Sequence, residues 1–205
     1  MRPRQEVRVA FCEQSTPNLR DVLTGLRGPA VVAPLLLASA YHARIDIPAM
    51  IREAESPAVR AATLGEDPRL VSVMRERLSS LGIERHDREV GVLVVAVGSS
   101  HAAANARTAT VAVDLARGTS WSTATAFATG PYSGVGREIE LLRRRAVQRI
   151  VLAPWFIAPG VITDRVAALA DAAGIEMAEP LGSHPLVART VLDRFDQANS
   201  ARAAA

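Results

Sequence analysis

The stretch VAPLLLA at residues 32–38 points to an internal duplication, because a similar stretch, LAPWFIA, follows 120 positions later at residues 152–158. Two further motifs recur in the same order: LGEDP at 64–68 returns as LGSHP at 181–185, and AF at 10–11 returns as AF at 126–127. The offsets of the last two pairs, 117 and 116, nearly equal the first. Such a repeat indicates one structural unit present twice.

Short apolar runs alternate along the chain with longer amphipathic segments. The runs predict strands at 7–12, 30–37, 90–97, 122–127, 149–154 and 175–178. The segments between them predict helices at 17–26, 48–54, 68–81, 105–116, 136–145, 163–173 and 185–199. Strands that alternate with helices are typical of βαβ units, so we predict an α/β protein with parallel sheets.

The repeat divides the chain into two similar halves, at 1–84 and 90–205, with the polar segment 84–89 as the linker. We expect each half to be a small, flavodoxin-like parallel sheet flanked by helices. Residues 90–119 supply a strand, a turn and a helix ahead of the strand at 122–127, whereas only six residues precede the strand at 7–12. We therefore predict that the first half is one βα unit short.

Composition and charge exclude several classes of function. The chain has 205 residues, 49% of them hydrophobic, which is enough to bury a core. The formal net charge is only +3, and all 24 basic residues are arginine. No stretch combines clustered arginines with interleaved aromatic residues, so we expect no nucleic-acid partner.

Nothing in the sequence indicates secretion or a membrane. A single cysteine, Cys12, excludes an internal disulfide and fits a reducing compartment. The first residues are polar and lead into no apolar signal segment. The apolar runs at 31–40 and 90–97 are too short to cross a bilayer. We therefore expect a cytoplasmic protein without a membrane partner.

Chemistry in parallel α/β sheets is expected beyond the carboxyl ends of the strands. In the first half that position holds His42, which follows the strand at 30–37, and Glu13, which follows the strand at 7–12. His42 is either a surface-loop histidine or a ligand for a divalent first-row metal. Glu13 is either a solvated acid or an acid/base group.

The loop around His42 contains further polar groups. Asp46, followed closely by Pro48, is interpreted as the N-cap of the next helix. Arg44 lies near the same helix start, which suits the binding of carboxylates.

The second half is poorer in reactive groups. At the position equivalent to His42 it has Val161 or Ile162, and at the position equivalent to Glu13 it has Ala128 or Thr129. Its turn at 98–100 (GSS) either binds an anion or caps the following helix, and we favour capping. The remaining histidines, which we do not expect to bind a metal, are His86, His101 and His184.

With these residues in view, the chain resembles the class II tetrapyrrole chelatases, specifically the CbiX/SirB-type sirohydrochlorin chelatases. The most specific part is PLLLASAYHARIDIP at 34–48, which is similar to the strand, histidine loop and Asp-Ile-Pro helix start of that family. The segment AFCE at 10–13 resembles the strand that carries its acidic residue, and the two Leu-Gly-x-x-Pro stretches resemble the starts of its last helices.

The resemblance implies a lyase that inserts Fe²⁺ or Co²⁺ into sirohydrochlorin, in siroheme or cobalamin biosynthesis. It implies that His42 and Glu13 are the catalytic and metal-binding residues, and that Arg44 and Tyr41 contact the tetrapyrrole. The metal is a substrate, so no permanent cofactor is expected, and one chain with two halves would act as a monomer. The family's second histidine, in a His-Gly-Ser turn, corresponds here to Val97.

Two alternative functions are compatible with the sequence. The loss of one histidine is compatible with a catalytically impaired homologue that binds a tetrapyrrole or a metal without turnover. The Gly-rich turns are compatible with an unrelated flavodoxin-like protein that binds a nucleotide or phosphate.

Overall fold

The computed structural model describes residues 5–130, 134–145 and 147–204 of the chain. Helices and strands alternate along it, as the sequence predicts. In chain order they are α1 (Leu19–Thr24), β1 (Val31–Val32), a π-helical turn (His42–Asp46), α2 (Ile47–Glu53), β2 (Val59–Arg60), α3 (Pro68–Ser79), β3 (Val90–Ala96), α4 (Ala102–Ala116), β4 (Ser122–Phe127), α5 (Val135–Arg143), β5 (Arg149–Pro154), α6 (Val161–Ala172), β6 (Glu176–Met177) and α7 (Pro185–Ala203).

The carboxyl-terminal sheet has four parallel strands in the order β4-β3-β5-β6. Its central strand β3 is apolar and buried along its whole length, as expected for a parallel strand with helices on both faces. Val92 and Val94 contribute to a core that includes α3 and α4. Leu93 and Val95 point the other way, into a core with α5 and α6. The prediction of parallel sheets flanked by helices is confirmed.

The amino-terminal sheet is much smaller and has only the two parallel strands β1 and β2 among the described residues. The strand predicted at 7–12 is wrong, because this segment makes a single bridge, between Phe11 and Asn18, and leaves Val7 83% exposed. In the carboxyl-terminal sheet β3 pairs with both of its neighbours. No described residues of the first half occupy that central position, so the segment 7–12 and β1 are not joined.

The internal repeat is visible in the backbone pairing. Val31 lies opposite Val59 in the small sheet, and Val151 lies opposite Glu176 in the large one. These pairs are related by the offsets of 120 and 117 found in the motifs. Hydrogen bonds beyond the strands repeat at the same offsets: Ala61 N–H to Val32 O and Leu64 N–H to Leu36 O, then Ala178 N–H to Leu152 O and Leu181 N–H to Phe156 O.

The repeated Leu-Gly-x-x-Pro motif forms the same turn in both halves. The leucines, Leu64 and Leu181, are each 1% exposed. The glycines that follow, Gly65 and Gly182, both have φ of +65°, a left-handed conformation that favours glycine. The proline then stands in the first turn of α3 or α7, where its missing N–H costs no hydrogen bond. The motif therefore ends one strand and starts the last helix of each half.

The last helices of the two halves are exchanged between the sheets. α3 contributes Leu70, Val73, Met74 and Leu78 to the core of the carboxyl-terminal sheet. α7 adds Val187 to that core through its first turns, but it also contacts β1 and β2, and the two helices pack on each other. Because each half completes the other half's core, we expect the two to fold together. The bounds 1–84 and 90–205 for the halves stay a prediction.

Two equivalent arginines secure the exchanged helices. Arg77 of α3 donates to the carbonyl of Leu181 at 3.3 Å, and Arg194 of α7 donates to the carbonyl of Leu64 at 3.0 Å. Arg194 lies 117 positions after Arg77, and Leu181 lies 117 positions after Leu64. The exchange is therefore part of the repeat itself.

Asp67 is the acidic group on which the α3–α7 contact depends. It caps α3 by accepting from the backbone N–H of Arg69, and its side chain, 8% exposed, forms ion pairs with Arg69 at 2.9 Å and Arg194 at 3.2 Å. The side-chain hydrogen bond from Arg69 is the largest of the effects that hold the pKa of Asp67 below its ordinary value, against the opposing effect of burial. The ionised form is therefore favoured in the folded protein.

We predict that Asp67→Asn lowers the free energy of unfolding at pH 7 by about 2 kcal/mol, since asparagine keeps the cap but loses both ion pairs. A carboxyl whose pKa is lowered by folding stabilises the protein above its unfolded pKa, and this stabilisation is lost as the pH falls through the folded pKa. The difference between wild type and variant, measured by urea unfolding, should therefore shrink in strong acid. The exposed Asp171→Asn is the control, and an equal loss in both variants would contradict the assignment.

Candidate functional site

His42 lies beyond the carboxyl end of β1, in the first turn of the π-helical segment. Its ring is half exposed, and its Nδ1 lies 2.7 Å from Oδ2 of Asp46. With the proton on Nδ1, His42 donates to this carboxylate, and the lone pair on Nε2 is free for a metal. A carboxylate behind a histidine in this way orients the ring as a ligand.

The π-helical turn explains why Asp46 is available to His42. The backbone N–H of Ile47 donates to the carbonyl of His42, so the helix already begins before Asp46. The predicted N-cap role of Asp46 is therefore wrong: its backbone is helical, with φ of −68° and ψ of −52°, and its side chain makes no capping hydrogen bond. Pro48 does stand in the first turn of α2, as predicted. Single π-helical turns are frequent at functional sites.

Glu13 reaches the same place from a different part of the chain. It lies in the turn after 7–12, next to Gln14, whose φ of +51° reverses the backbone. One ligand atom each from Glu13, His42 and Asp46 lie within 4.8 Å of one another. Glu13 and His42 are predicted from the sequence as ligands but Asp46 is not, although its spacing of four residues from His42 is a signal for a shared helix face.

The half-buried Cys12 lies close enough to this cluster for the pKa of its thiol to be affected by it. Burial raises the pKa of its thiol, and the negative charges of Asp46 and Glu13 raise it further. Cys12 therefore stays a neutral thiol beside two carboxylates. The same local charge attracts a divalent cation.

Tyr41 and Arg44, the predicted substrate-binding residues, flank His42 on the exposed side of the loop. The Tyr41 ring is edge-on to the His42 ring, with centroids 6.4 Å apart, and Tyr41 is 58% exposed. Arg44 is exposed too, and the described part of the chain gives its guanidinium no hydrogen bond or ion pair. Both side chains are therefore accessible, and their roles stay a prediction.

The equivalent edge of the second half carries no such cluster. Thr129 uses its hydroxyl to donate to the carbonyl of Val97 at 2.7 Å. Val161, at the position that corresponds to Tyr41, is 69% exposed. Over residues 5–130, 134–145 and 147–204, the only group of three or more His, Cys, Asp or Glu able to hold a metal ion is Glu13, His42 and Asp46.

The turn at 98–100 is hydrogen-bonded to the beginning of α4, the helix that follows it. The buried amide of Asn105 accepts from the N–H of Ser99 at 2.9 Å and donates to the carbonyl of Ser99 at 2.8 Å. The hydroxyl of Ser99 accepts from the N–H of His101 at 3.1 Å. Since these groups already have partners, the turn has a structural role, and the nucleotide hypothesis loses its support.

His184 also has a structural role. Its Nδ1 accepts from the N–H of Leu186 at 3.1 Å and so caps α7, and its Nε2 lies 3.0 Å from a carboxylate oxygen of Glu76 on α3. Both ring nitrogens are therefore engaged away from His42. In the described residues, no helix is both long and apolar enough to span a membrane.

These features define a duplicated, parallel α/β protein with a cluster of candidate metal ligands, Glu13, His42 and Asp46, at one carboxyl edge. The chain belongs to the CbiX family, whose model matches residues 1–81 and 91–198, so the predicted family is confirmed.

Among curated proteins, the chain is 25% identical to a sirohydrochlorin ferrochelatase of Priestia megaterium over 175 residues. The match covers 80% of this chain, and the chain spans 64% of the length of that relative.

Solved structures share the fold. SirB from Bacillus subtilis with Fe³⁺ gives a TM-score of 0.76 at 20% identity, over 95% of this chain and 83% of that one. SirB from Bacillus subtilis subspecies spizizenii, in complex with cobalt, gives 0.72 at 18% identity, over 93% and 80%. CbiX, the terminal enzyme for siroheme biosynthesis in denitrifying bacteria, gives 0.66 at 21% identity, over 86% and 78%.

The hydrogen bond between His42 and Asp46 predicts which ring nitrogen carries the proton. In the neutral wild-type protein we expect the Nδ1–H tautomer at His42, because Asp46 accepts this hydrogen bond. Asp46→Ala should shift the ring toward the Nε2–H form. Long-range ¹H–¹⁵N spectra at alkaline pH distinguish the two. Asp164→Ala, an exposed acid in the first turn of α6, is the control, and an Nε2–H tautomer in the wild type would refute the arrangement.

Proposed function

We propose that the chain is a metal chelatase that inserts Fe²⁺ or Co²⁺ into sirohydrochlorin, in siroheme or cobalamin biosynthesis. The observation that carries the proposal is the convergence of ligand atoms from Glu13, His42 and Asp46 within 4.8 Å at a carboxyl edge. Membership of the CbiX family and the similarity to a sirohydrochlorin ferrochelatase support the choice of reaction and substrate.

The donor set suits a metal that must be delivered rather than stored. One imidazole nitrogen and carboxylate oxygens are suitable ligands for divalent first-row metals, whose affinities for such a site rise from Mn²⁺ through Fe²⁺ and Co²⁺ to Cu²⁺. These residues leave positions open for water and for the tetrapyrrole nitrogens, since Glu13 and His42 are exposed and Asp46 is partly exposed. We infer that His42 Nε2 and the Glu13 carboxylate hold the ion as substrate, and that Asp46 fixes the His42 ring.

Insertion also requires the removal of both inner pyrrole N–H protons, because the product is the metal complex of the deprotonated ring. A carboxylate near the metal accepts such a proton and passes it to water. Glu13 is exposed, and Asp46 is already hydrogen-bonded to His42. We therefore assign proton acceptance to the carboxylate oxygen of Glu13 that does not hold the metal. The metal leaves with the product, so the reaction needs no permanent cofactor.

The choice between Fe²⁺ and Co²⁺ stays open within the proposal, because both metals accept imidazole and carboxylate ligands. The tetrapyrrole is expected to contact Tyr41 and Arg44 next to the metal, where an aromatic ring and a guanidinium suit a macrocycle with acidic side chains. The exchanged helices favour a monomer in which both halves form one unit.

We predict that His42→Ala abolishes insertion, and that Asp46→Ala weakens Co²⁺ binding about 10- to 100-fold, the effect typical of losing the partner behind a metal-binding histidine. The absorption change of sirohydrochlorin measures insertion, and anaerobic titration with Co²⁺ measures metal binding. His86→Ala, an exposed histidine in a cleft away from the cluster, is the matched control and should retain wild-type behaviour. Wild-type insertion rates in His42→Ala would refute the assignment.

A catalytically impaired homologue is the second candidate function. The observation that favours it is the apolar character of the second half's edge, where Val97 and Val161 are exposed. In that case the wild type binds Co²⁺ and the tetrapyrrole saturably without insertion above the uncatalysed rate. Insertion that depends on His42 eliminates this candidate.

A further inference from the structure

An arginine-lined cleft of about 500 Å³ lies close to the metal-binding loop. It is bordered by residues that follow β1 and β2, by α4 and by α7. The ends of parallel strands meet at one edge of a sheet, so the cleft opens at the same edge as the cluster of Glu13, His42 and Asp46. Ser39, which lines the cleft, stands three residues before His42.

Three arginines line this cleft, and they differ in how fully their donors are used. Arg194 is committed to structure, because it donates to the carbonyls of Thr63 and Leu64 and pairs with Asp67. Its charge is balanced by Asp67, which, like Glu66, lines the same cleft, so Arg194 has a structural role in the wall.

Arg107 and Arg60 have donors to spare. Arg107 is 69% exposed and pairs with Glu66 at 3.2 Å through one terminal nitrogen. Arg60 makes one long hydrogen bond, to the carbonyl of Ala61 at 3.5 Å, and has no acidic partner within the described residues. A guanidinium has five N–H donors arranged to bind a carboxylate through two of them. The cleft therefore has vacant donors suited to a carboxylate.

We propose that Arg60 and Arg107 bind an acidic side chain of the tetrapyrrole, an inference that rests on the proposed function and adds a specificity subsite to it. Sirohydrochlorin carries carboxylates around its rim, so a ring held over His42 extends acidic groups toward the surrounding loops. Ser39 and Gln197 supply neutral polar groups beside the arginines. The subsite places the ring relative to the metal and selects polycarboxylate tetrapyrroles over their esters.

The test compares Arg60→Gln, Arg107→Gln and the double variant with Arg144→Gln, an exposed arginine at the end of α5. We expect the KM for sirohydrochlorin to rise about tenfold for each arginine lost, with kcat and the Kd for Co²⁺ unchanged. The double variant should also lose part of the salt dependence of KM. The control should behave as the wild type.

Binding without turnover gives an independent readout. By fluorescence quenching, the wild type should bind a polycarboxylate porphyrin more tightly than its methyl ester, and the double variant should lose this preference. The assignment is supported if inorganic phosphate displaces the porphyrin only weakly. Tight phosphate binding that depends on Arg60 would make the cleft a phosphate site and overturn it.

Two failures are distinguishable. If the wild type inserts Co²⁺ and the double variant has an unchanged KM, the subsite is refuted while the chelatase function stands. If the wild type neither binds the porphyrin nor inserts the metal, the proposed function fails and the subsite fails with it.

Discussion

The exchange of α3 and α7 between the two sheets is the constraint on which the rest of the structure depends. The two-stranded amino-terminal sheet packs with α1 and α2 in a small core, and α7 covers it from the other half. In return, α3 completes the core of the large sheet. Since a small sheet is marginal when isolated, the loop that carries His42 is held in place by a helix that begins more than 140 residues later.

The site depends in turn on a local irregularity of the backbone. The π-helical turn at His42–Asp46 starts the helix one turn early, which turns Asp46 from a cap into a partner for His42. Glu13 then approaches from the segment before α1, so that ligands from two parts of one half meet. Burial, and after it the negative charges of Asp46 and Glu13, raise the pKa of the neighbouring Cys12 thiol. The proposed metal site lies within one half and does not need a matching ligand from the other, where Val97 is apolar and the Thr129 hydroxyl donates to the carbonyl of Val97.

Sequence patterns predicted the elements of the large sheet closely, because β3, β4 and β5 are apolar runs whose neighbours are also present. The same patterns failed at 7–12, where an apolar run has no strand to pair with, since pairing is a property of the sheet and not of the segment. Glu13 and His42 could be found because they follow apolar runs. Asp46 is predicted as a cap rather than as the partner of His42, because an Asp before Ile-Pro has the same sequence signature as an ordinary N-cap, and this signature outweighs the spacing of four residues from His42. The helix exchange leaves no local signal, since only tertiary packing distinguishes one sheet face from another.

We propose that the imidazole of His42 and the carboxylate of Glu13 hold the substrate metal. X-ray absorption of the Co²⁺-loaded protein, recorded without tetrapyrrole, tests it most directly. The arrangement at Glu13, His42 and Asp46 predicts one imidazole nitrogen with oxygen ligands at about 2 Å, and loss of the imidazole signal in His42→Ala. A sulfur ligand, two imidazoles, or a spectrum unchanged by that substitution would contradict the account.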